Sequence, residues 1–109
     1  QILKALGIDR ILTEYGSWRS DEPANGAQID LVISRADNMI NICEAKYSAS
    51  EYALAKDEAM KLLNRMEQFQ KDTATRKGIF ITLITTYGLA KNTWSSTANS
   101  VITMKDLFR

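Results

Sequence analysis

The sequence predicts one α/β domain with a central mixed sheet flanked by helices. Apolar residues alternate along some stretches and recur every three or four residues along others, a mixture typical of α/β chains. The 109 residues suit one domain, and 45% hydrophobic with 25% charged residues is ordinary globular composition. We therefore expect a single folded unit over residues 1–109.

The first part of the chain predicts the end of a helix and then two strands. Gln1 to Ile8 has an apolar side that suits a helix packed on the sheet. Ile11 to Arg19 predicts a strand, in which Gly16 suits a β-bulge. A loop around Pro23 follows, and Ala27 to Arg35 then alternates cleanly between apolar and polar residues, which predicts the second strand.

A third strand and the one long helix come next. Met39 to Tyr47 predicts the strand, and Ser48 to Glu51 fits a capping box with Ser48 as the N-cap. Apolar residues then recur at helical spacing and predict a stripe that packs on the sheet. The stripe consists of Ala55, Ala59, Leu62, Met66 and Phe69.

Two further strands complete the predicted sheet. Ile79 to Ile84 is almost continuously apolar, as in a central strand that is buried on both faces. Leu89 to Asn99 is polar and irregular, and Val101 to Met104 predicts a last short strand. The predicted order is helix, three strands, long helix, strand, short strand.

Residue usage excludes several classes of mechanism and location. The sequence has no histidine, which rules out histidine-based nuclease mechanisms and Ser-His-Asp triads. The single cysteine, Cys43, cannot form an intrachain disulfide, which favours a reducing, cytoplasmic location. No apolar run approaches the ~18 residues that cross a bilayer, so we expect no membrane partner.

Charge is unevenly distributed along the chain. Residues 1–60 hold 6 basic and 10 acidic residues, whereas residues 61–109 hold 8 basic and 3 acidic residues. An acidic half suits a bound cation and a basic half suits phosphates, as in a nuclease. Chance scatter over a solvated surface accounts for the same distribution equally well.

The hairpin formed by the second and third strands carries the strongest chemical signal. A three-residue loop, Ala36 to Asn38, places Asp30 opposite Glu44 and Gln28 opposite Lys46. A two-residue loop would shift the register by one and send Asp30 and Glu44 to opposite faces. In the favoured register the other pairs are Arg35 with Met39, Ser34 with Ile40, and Val32 with Ile42. Strict alternation then leaves Ile29, Leu31 and Ile33 together on the other face of the second strand.

Two carboxylates placed side by side, ~5 Å apart at Cβ, repel each other unless a cation compensates them. Mg²⁺ binds through one or two carboxylates and keeps positions for water and phosphate oxygens. Lys46 is then placed to orient the attacking water or to stabilise charge that develops on a phosphodiester. The simpler alternative is a polar surface patch in which Glu44 pairs with Lys46 without any metal.

The segment GAQIDLVISRADNMINICEAKYS, residues 26–48, resembles the core motif of the PD-(D/E)XK nuclease superfamily. In that motif, a Gly-x-(Glu/Gln)-apolar-Asp-apolar strand precedes a strand with apolar-x-(Asp/Glu)-x-Lys. The wider chain, through ITTYGLAKN at 84–92 and VITMKDLF at 101–108, is similar to the C-terminal domain of bacterial AAA-type, or DEXX-box, ATPases. The resemblance covers nearly the whole chain.

The resemblance implies a restriction-endonuclease-like αβββαβ core. It implies that Asp30 and Glu44 are ligands of Mg²⁺ or Mn²⁺ and that Lys46 is the catalytic lysine. Gln28 falls where many members place a Glu or Gln that orients the site. Members also place an acid on the first helix, which the visible helix end lacks, so we expect that acid upstream of Gln1.

The same resemblance implies a nuclease domain that is the C-terminal part of a longer ATPase. Its expected partners are nucleic acid, with DNA favoured, and the N-terminal ATPase domain of the same chain. ATP is expected only in that ATPase domain, because this sequence has no GxxxxGK[ST] loop. The alternative is a non-catalytic nucleic-acid-binding or protein-docking module that regulates the ATPase, since a fold does not determine a function.

Several other residues admit a functional interpretation, but an ordinary structural one is favoured for each. Glu14 is a candidate further acid, although a solvated face explains it better. Trp18 and Trp94 suit base stacking, although packing at the core is the more common role. Four basic residues suit phosphate contacts, although they also fit an ordinary helix surface and its flank. They are Arg65, Lys71, Arg76 and Lys77.

Overall fold

The sheet has five strands in the part of the chain that the structure describes. The structure is a computed structural model, and it describes residues 2–6, 13–19 and 28–107. The strands are β1 (Thr13–Arg19), β2 (Gln28–Arg35), β3 (Met39–Lys46), β4 (Gly78–Thr85) and β5 (Ser100–Thr103). The helices are α1 (Ile2–Ala5), α2 (Lys56–Thr73) and α3 (Met104–Leu107), with a 3₁₀ turn at Ser95–Thr97.

The strand directions make the sheet mixed, as the sequence predicts. The strands follow the order β1-β2-β3-β4-β5 across the sheet. The β1-β2 and β2-β3 pairs are antiparallel, whereas the β3-β4 and β4-β5 pairs are parallel. Strand β4 lies between two neighbours, and burial from residue 81 to residue 85 confirms the expectation of a buried central strand for that part, whereas Ile79 is partly buried and Phe80 is exposed.

Each face of the sheet has its own apolar core. Helix α2 covers one face, where Ala59, Leu62 and Phe69 of the predicted stripe are buried against the sheet. Met66 packs against this core, but Ala55 is exposed, because the helix begins only after it. The other face holds a smaller core that α1 and α3 partly cover. Its buried residues are Ile33, Cys43, Ile84 and Ile102.

The start of α2 differs from the prediction. The helix begins at Lys56, with Ala55 as its N-cap, so the predicted capping box at Ser48 to Glu51 is wrong. Instead, Tyr52 exchanges backbone hydrogen bonds with the chain around Leu89, and Leu54 is buried to 1% exposure. These long-range contacts keep the segment out of the helix, since burying a leucine contributes more than one side-chain cap.

The irregularity predicted at Gly16 is present, but the extra residue lies in β2. Gly16 pairs with Val32 and Trp18 pairs with Ile29, so Asp30 and the residue after it face a single β1 residue. This bulge breaks the alternation of β2. Ile29 therefore packs in the core under α2 with Val32, which corrects the prediction that it shares a face with Leu31 and Ile33.

The ends of the strands differ by a residue or two from the predicted bounds, as is usual for pattern-based assignment. The last strand is Ser100–Thr103, and Met104 begins the short helix α3 rather than ending the strand. The loop around Pro23 lies outside the described residues. None of the helices in the described ranges is long and apolar enough to cross a membrane.

Candidate functional site

The β2-β3 hairpin has the predicted register along its paired length. Ser34 pairs with Ile40 and Val32 pairs with Ile42, as the three-residue loop requires. Asn38 in that loop adopts a left-handed backbone with φ of 65°, a conformation that asparagine tolerates better than most residues.

The paired ladder ends at Leu31 and Cys43, one step short of the candidate carboxylates. The predicted pairs Asp30 with Glu44 and Gln28 with Lys46 are therefore absent from the ladder, because the β2 bulge begins at this point.

Asp30 and Glu44 nevertheless line the same cleft. Gln28 and Arg65 are the other polar residues along its wall. The apolar part of the wall consists of Ile29, Ile42, Cys43 and Leu62. The cleft therefore lies where the hairpin meets helix α2, and three of the four predicted site residues surround it.

Each of the two carboxylates uses one oxygen for contacts within the protein. Gln28 donates from Nε2 to Asp30 Oδ1 over 2.7 Å, and Arg19 donates to Gln28 Oε1 over 3.0 Å. Arg65 Nη1 donates to Glu44 Oε1 over 2.6 Å. Asp30 Oδ2 and Glu44 Oε2 have no hydrogen-bond or ion-pair partner among the described residues. One oxygen of each acid is thus left for another ligand.

Lys46 lies beside this cleft and contacts two carboxylates. Its Nζ is 3.9 Å from Glu44 Oε1 and 3.3 Å from Glu58 Oε2. The three side chains are each about one quarter exposed, so water screens these ion pairs less than it would at an open surface. The ammonium group is consequently held next to Glu44 from the side of α2.

Glu58, in the first turn of α2, supports Lys46. The hydroxyl of Tyr52 donates to Glu58 Oε2, and the backbone N–H of Ala55 donates to Oε1 over 3.4 Å. The hydrogen bond from Tyr52, and after it the bonds from Ala55 and Lys46, hold the pKa of Glu58 below its usual value. Burial and, secondly, the bond to Glu58 raise the pKa of Tyr52 to about 12. Tyr52 therefore stays a neutral donor at physiological pH.

The sequence pattern does not single out Glu58, and it marks Arg65 only as one of four candidate phosphate contacts, without its pairing to Glu44. Glu58 is twelve positions from Lys46, and no local pattern connects them. Arg65 gave a weak signal, since it lies three residues after Leu62 and one before Met66, at the edge of the buried stripe. A cation at such an edge is placed to find an acidic partner on the sheet, as Arg65 does.

The other residues with a proposed functional interpretation do not line the cleft. Glu14 is exposed and pairs with Ser34, close to the hairpin loop. Trp18 packs edge-on against Phe69, with ring centroids 5.6 Å apart, and Trp94 also packs against the core. Lys71 and Arg76 are exposed, and Lys77 Nζ donates to Ser34 Oγ and to the backbone carbonyl of Arg35.

The donor set fits a hard divalent cation with few protein ligands. Among the residues that the structure describes, no group of three or more His, Cys, Asp or Glu side chains comes together. Mg²⁺ needs fewer, since it commonly binds one or two carboxylates and completes its shell with water. The oxygens of Asp30 and Glu44 that have no partner among the described residues are donors of this type, whereas a structural zinc site would require more ligands.

Comparison with known proteins adds information about the fold alone. No protein-family model and no curated protein matches the chain. A solved structure described as a protein of unknown function, AF1548, is similar with a TM-score of 0.60 and 15% sequence identity. The similarity covers 93% of this chain and 53% of that one, so the chain spans about half the length of AF1548. At this identity the similarity supports the α/β fold of this chain, in which helices flank a mixed sheet of five strands, and nothing more specific.

Proposed function

We propose that this domain hydrolyses phosphodiester bonds of nucleic acid, with DNA as the expected substrate, in a reaction that depends on Mg²⁺ or Mn²⁺. The observation that carries the proposal is the cleft in which Asp30 and Glu44 each keep one carboxylate oxygen that has no partner among the described residues. Lys46 lies 3.9 Å from Glu44 and supplies an ammonium group next to that pair. Apart from the acid that members place on the first helix, this set resembles that of a PD-(D/E)XK nuclease.

Each residue of the set has a distinct role in this proposal. Asp30 and Glu44 hold the cation, which when bound lowers the pKa of a water and neutralises charge on the phosphate. Gln28 fixes the orientation of Asp30 through the 2.7 Å hydrogen bond to Oδ1. Lys46 orients the attacking water or stabilises negative charge in the transition state, and Glu58 holds it in place.

The order of elements supports the same proposal. A helix, three strands, a long helix and a fourth strand follow one another, as the restriction-endonuclease-like core requires. By resemblance, we also propose that the domain acts as part of an ATPase whose nucleotide-binding domain precedes it. That partner domain would deliver or exclude DNA, while the chemistry stays in the cleft between the hairpin and α2.

A non-catalytic role is the second candidate, and one observation favours it. Arg65 already neutralises Glu44 at 2.6 Å, so the acid is compensated without any metal. A module that binds nucleic acid or docks on a partner to regulate the ATPase needs only this metal-free arrangement of Glu44 and Arg65. In that case the protein would bind DNA with an affinity that is insensitive to divalent cations.

A cleavage assay separates the two candidates. End-labelled single-stranded, duplex and branched DNA would be incubated with the protein and Mg²⁺ or Mn²⁺, with EDTA as the blank. We expect cleavage that falls by about 100-fold or more in Asp30→Asn and in Lys46→Met, in line with the loss of a transition-state contact. Glu14→Gln, an exposed acid on the neighbouring strand, and Lys71→Met, an exposed lysine of α2, are the matched controls. DNA binding without any cleavage by the wild-type protein would favour the regulatory module.

A further inference from the structure

Among the described residues, Arg65 makes the closest ion pair to a proposed cation ligand. Its Nη1 is 2.6 Å from Glu44 Oε1, whereas Lys46 Nζ is 3.9 Å from the same oxygen. Arg65 also lines the cleft beside Asp30, and its side chain is 30% exposed. The guanidinium is therefore partly desolvated, close to the candidate cation position, and still accessible from the cleft.

A divalent cation changes the environment of this guanidinium. Arginine stays protonated under all ordinary conditions, so its charge cannot be lost when another cation arrives. A cation on Glu44 would weaken the attraction of that acid for Arg65 and would also repel the guanidinium directly. Arg65 would then need another anion within reach of the cleft.

The phosphate of a nucleic acid is an anion of the right geometry. The planar fork of donors on a guanidinium matches two phosphate oxygens as well as it matches a carboxylate. A phosphodiester bound to the cation at Asp30 and Glu44 would lie next to Arg65, because all three residues line one cleft.

We propose that Arg65 is the phosphate-contacting residue of this site and that it exchanges Glu44 for a substrate phosphate when a divalent cation binds. This inference rests on the proposed function and adds a named residue and a coupling between two ligands. Because coupling between binding sites is reciprocal, the cation should strengthen DNA binding and DNA should strengthen cation binding. This mutual strengthening of cation and DNA binding should depend on the side chain of Arg65.

A structural role for Arg65 predicts something different. An ion pair that only fastens α2 to β3 would affect the free energy of unfolding, and its loss would leave the cation dependence of DNA binding unchanged. The cation affinity of the free protein does not separate the two roles. Removing a positive charge near Glu44 should tighten cation binding in either case. The deciding quantity is the ratio of DNA affinities with and without cation.

The experiment measures DNA affinity by fluorescence anisotropy, with a labelled duplex, at fixed ionic strength, with Mn²⁺ or with EDTA. Two variants are compared. Both carry Lys46→Met so that the duplex stays intact, and one of them also carries Arg65→Gln. Lys61→Gln is the matched control, since Lys61 is an exposed basic residue of α2 located one turn before Arg65. Arg65→Lys, which keeps the charge but not the fork, serves as a second variant if Arg65→Gln does not fold.

We expect Mn²⁺ to strengthen DNA binding on the Lys46→Met background and in the Lys61→Gln control. In Arg65→Gln this gain should fall on the order of tenfold, the size of one lost charge-assisted hydrogen bond. Arg65→Lys should retain only part of the gain. An unchanged Mn²⁺ dependence in Arg65→Gln would overturn the role of Arg65 alone. If calorimetry detects no Mn²⁺ binding to the wild-type protein, the proposed function and the inference fail together.

Discussion

Glu58 uses one carboxylate to contact Lys46 on the sheet, Tyr52 ahead of α2, and the N-terminal turn of α2 itself. Its pKa is held below the ordinary value of 4.5, with the Tyr52 hydrogen bond as the largest cause. A depressed folded-state pKa contributes stability that is present above the unfolded value and is lost as the pH falls through the folded value. Glu58 should therefore make the fold sensitive to acid below about pH 4.5.

We predict that Glu58→Gln flattens the acid limb of the stability curve. Between about pH 5 and pH 3, the free energy of unfolding should fall less steeply in the variant than in the wild-type protein, as measured by urea denaturation. Glu51→Gln, which changes an exposed acid ahead of α2, is the control and should keep the wild-type slope. Equal slopes for the wild-type protein and Glu58→Gln would contradict this account of the residue.

Cys43 lines the cleft but is 4% exposed, and burial raises the pKa of its thiol to about 12. Because the thiolate is the reactive form, we predict that this cysteine is inert in the folded protein. Reaction with a chromogenic disulfide at pH 8 should be slow in native buffer and rapid in urea. Immediate stoichiometric labelling of the native protein would show that the thiol is accessible.

At the scale of elements, the segment that precedes α2 is held by distant contacts rather than by its own capping residues. Leu54 is 1% exposed and belongs to the core under α2, whereas the side-chain hydroxyl of Ser48 donates to the nearby backbone carbonyl of Ser50. We predict that Leu54→Ala costs about 2–5 kcal/mol of stability by urea denaturation. Ser48→Ala should cost well under ~1 kcal/mol, because no helix begins there. A larger loss for Ser48→Ala than for Leu54→Ala would restore the sequence-based helix start.

The contrast between local and long-range contacts also explains which elements the sequence could predict. The register of the β2-β3 hairpin follows from local facts, namely the length of the loop and the tolerance of Asn38 for a positive φ. The start of α2 depends on the pairing of Tyr52 with Leu89, which lies 37 residues away. Ile29 was misplaced because the bulge in β2 arises from pairing with β1. Long-range contacts were thus the source of both errors.

At the scale of the whole molecule, the cleft forms where the β2-β3 hairpin meets α2. The hairpin supplies Asp30 and Glu44, which the sequence analysis identified from their spacing. The helix supplies Glu58 and Arg65, whose partners on β3 are 12 and 21 positions away and therefore could not be read from local patterns. Two ion pairs between helix and sheet make the geometry of the site depend on how α2 packs.

The central proposal is that Asp30 and Glu44 together bind a divalent cation. Isothermal titration of Mn²⁺ into the protein tests it most directly, beside Asp30→Asn and Glu44→Gln as the two test variants. Glu14→Gln is the control, since Glu14 is an exposed acid near the opposite end of the hairpin. The account predicts binding to the wild-type protein and to the control, and loss of binding in both test variants. A folded wild-type protein that binds no Mn²⁺, or binding that survives in both test variants, would contradict it.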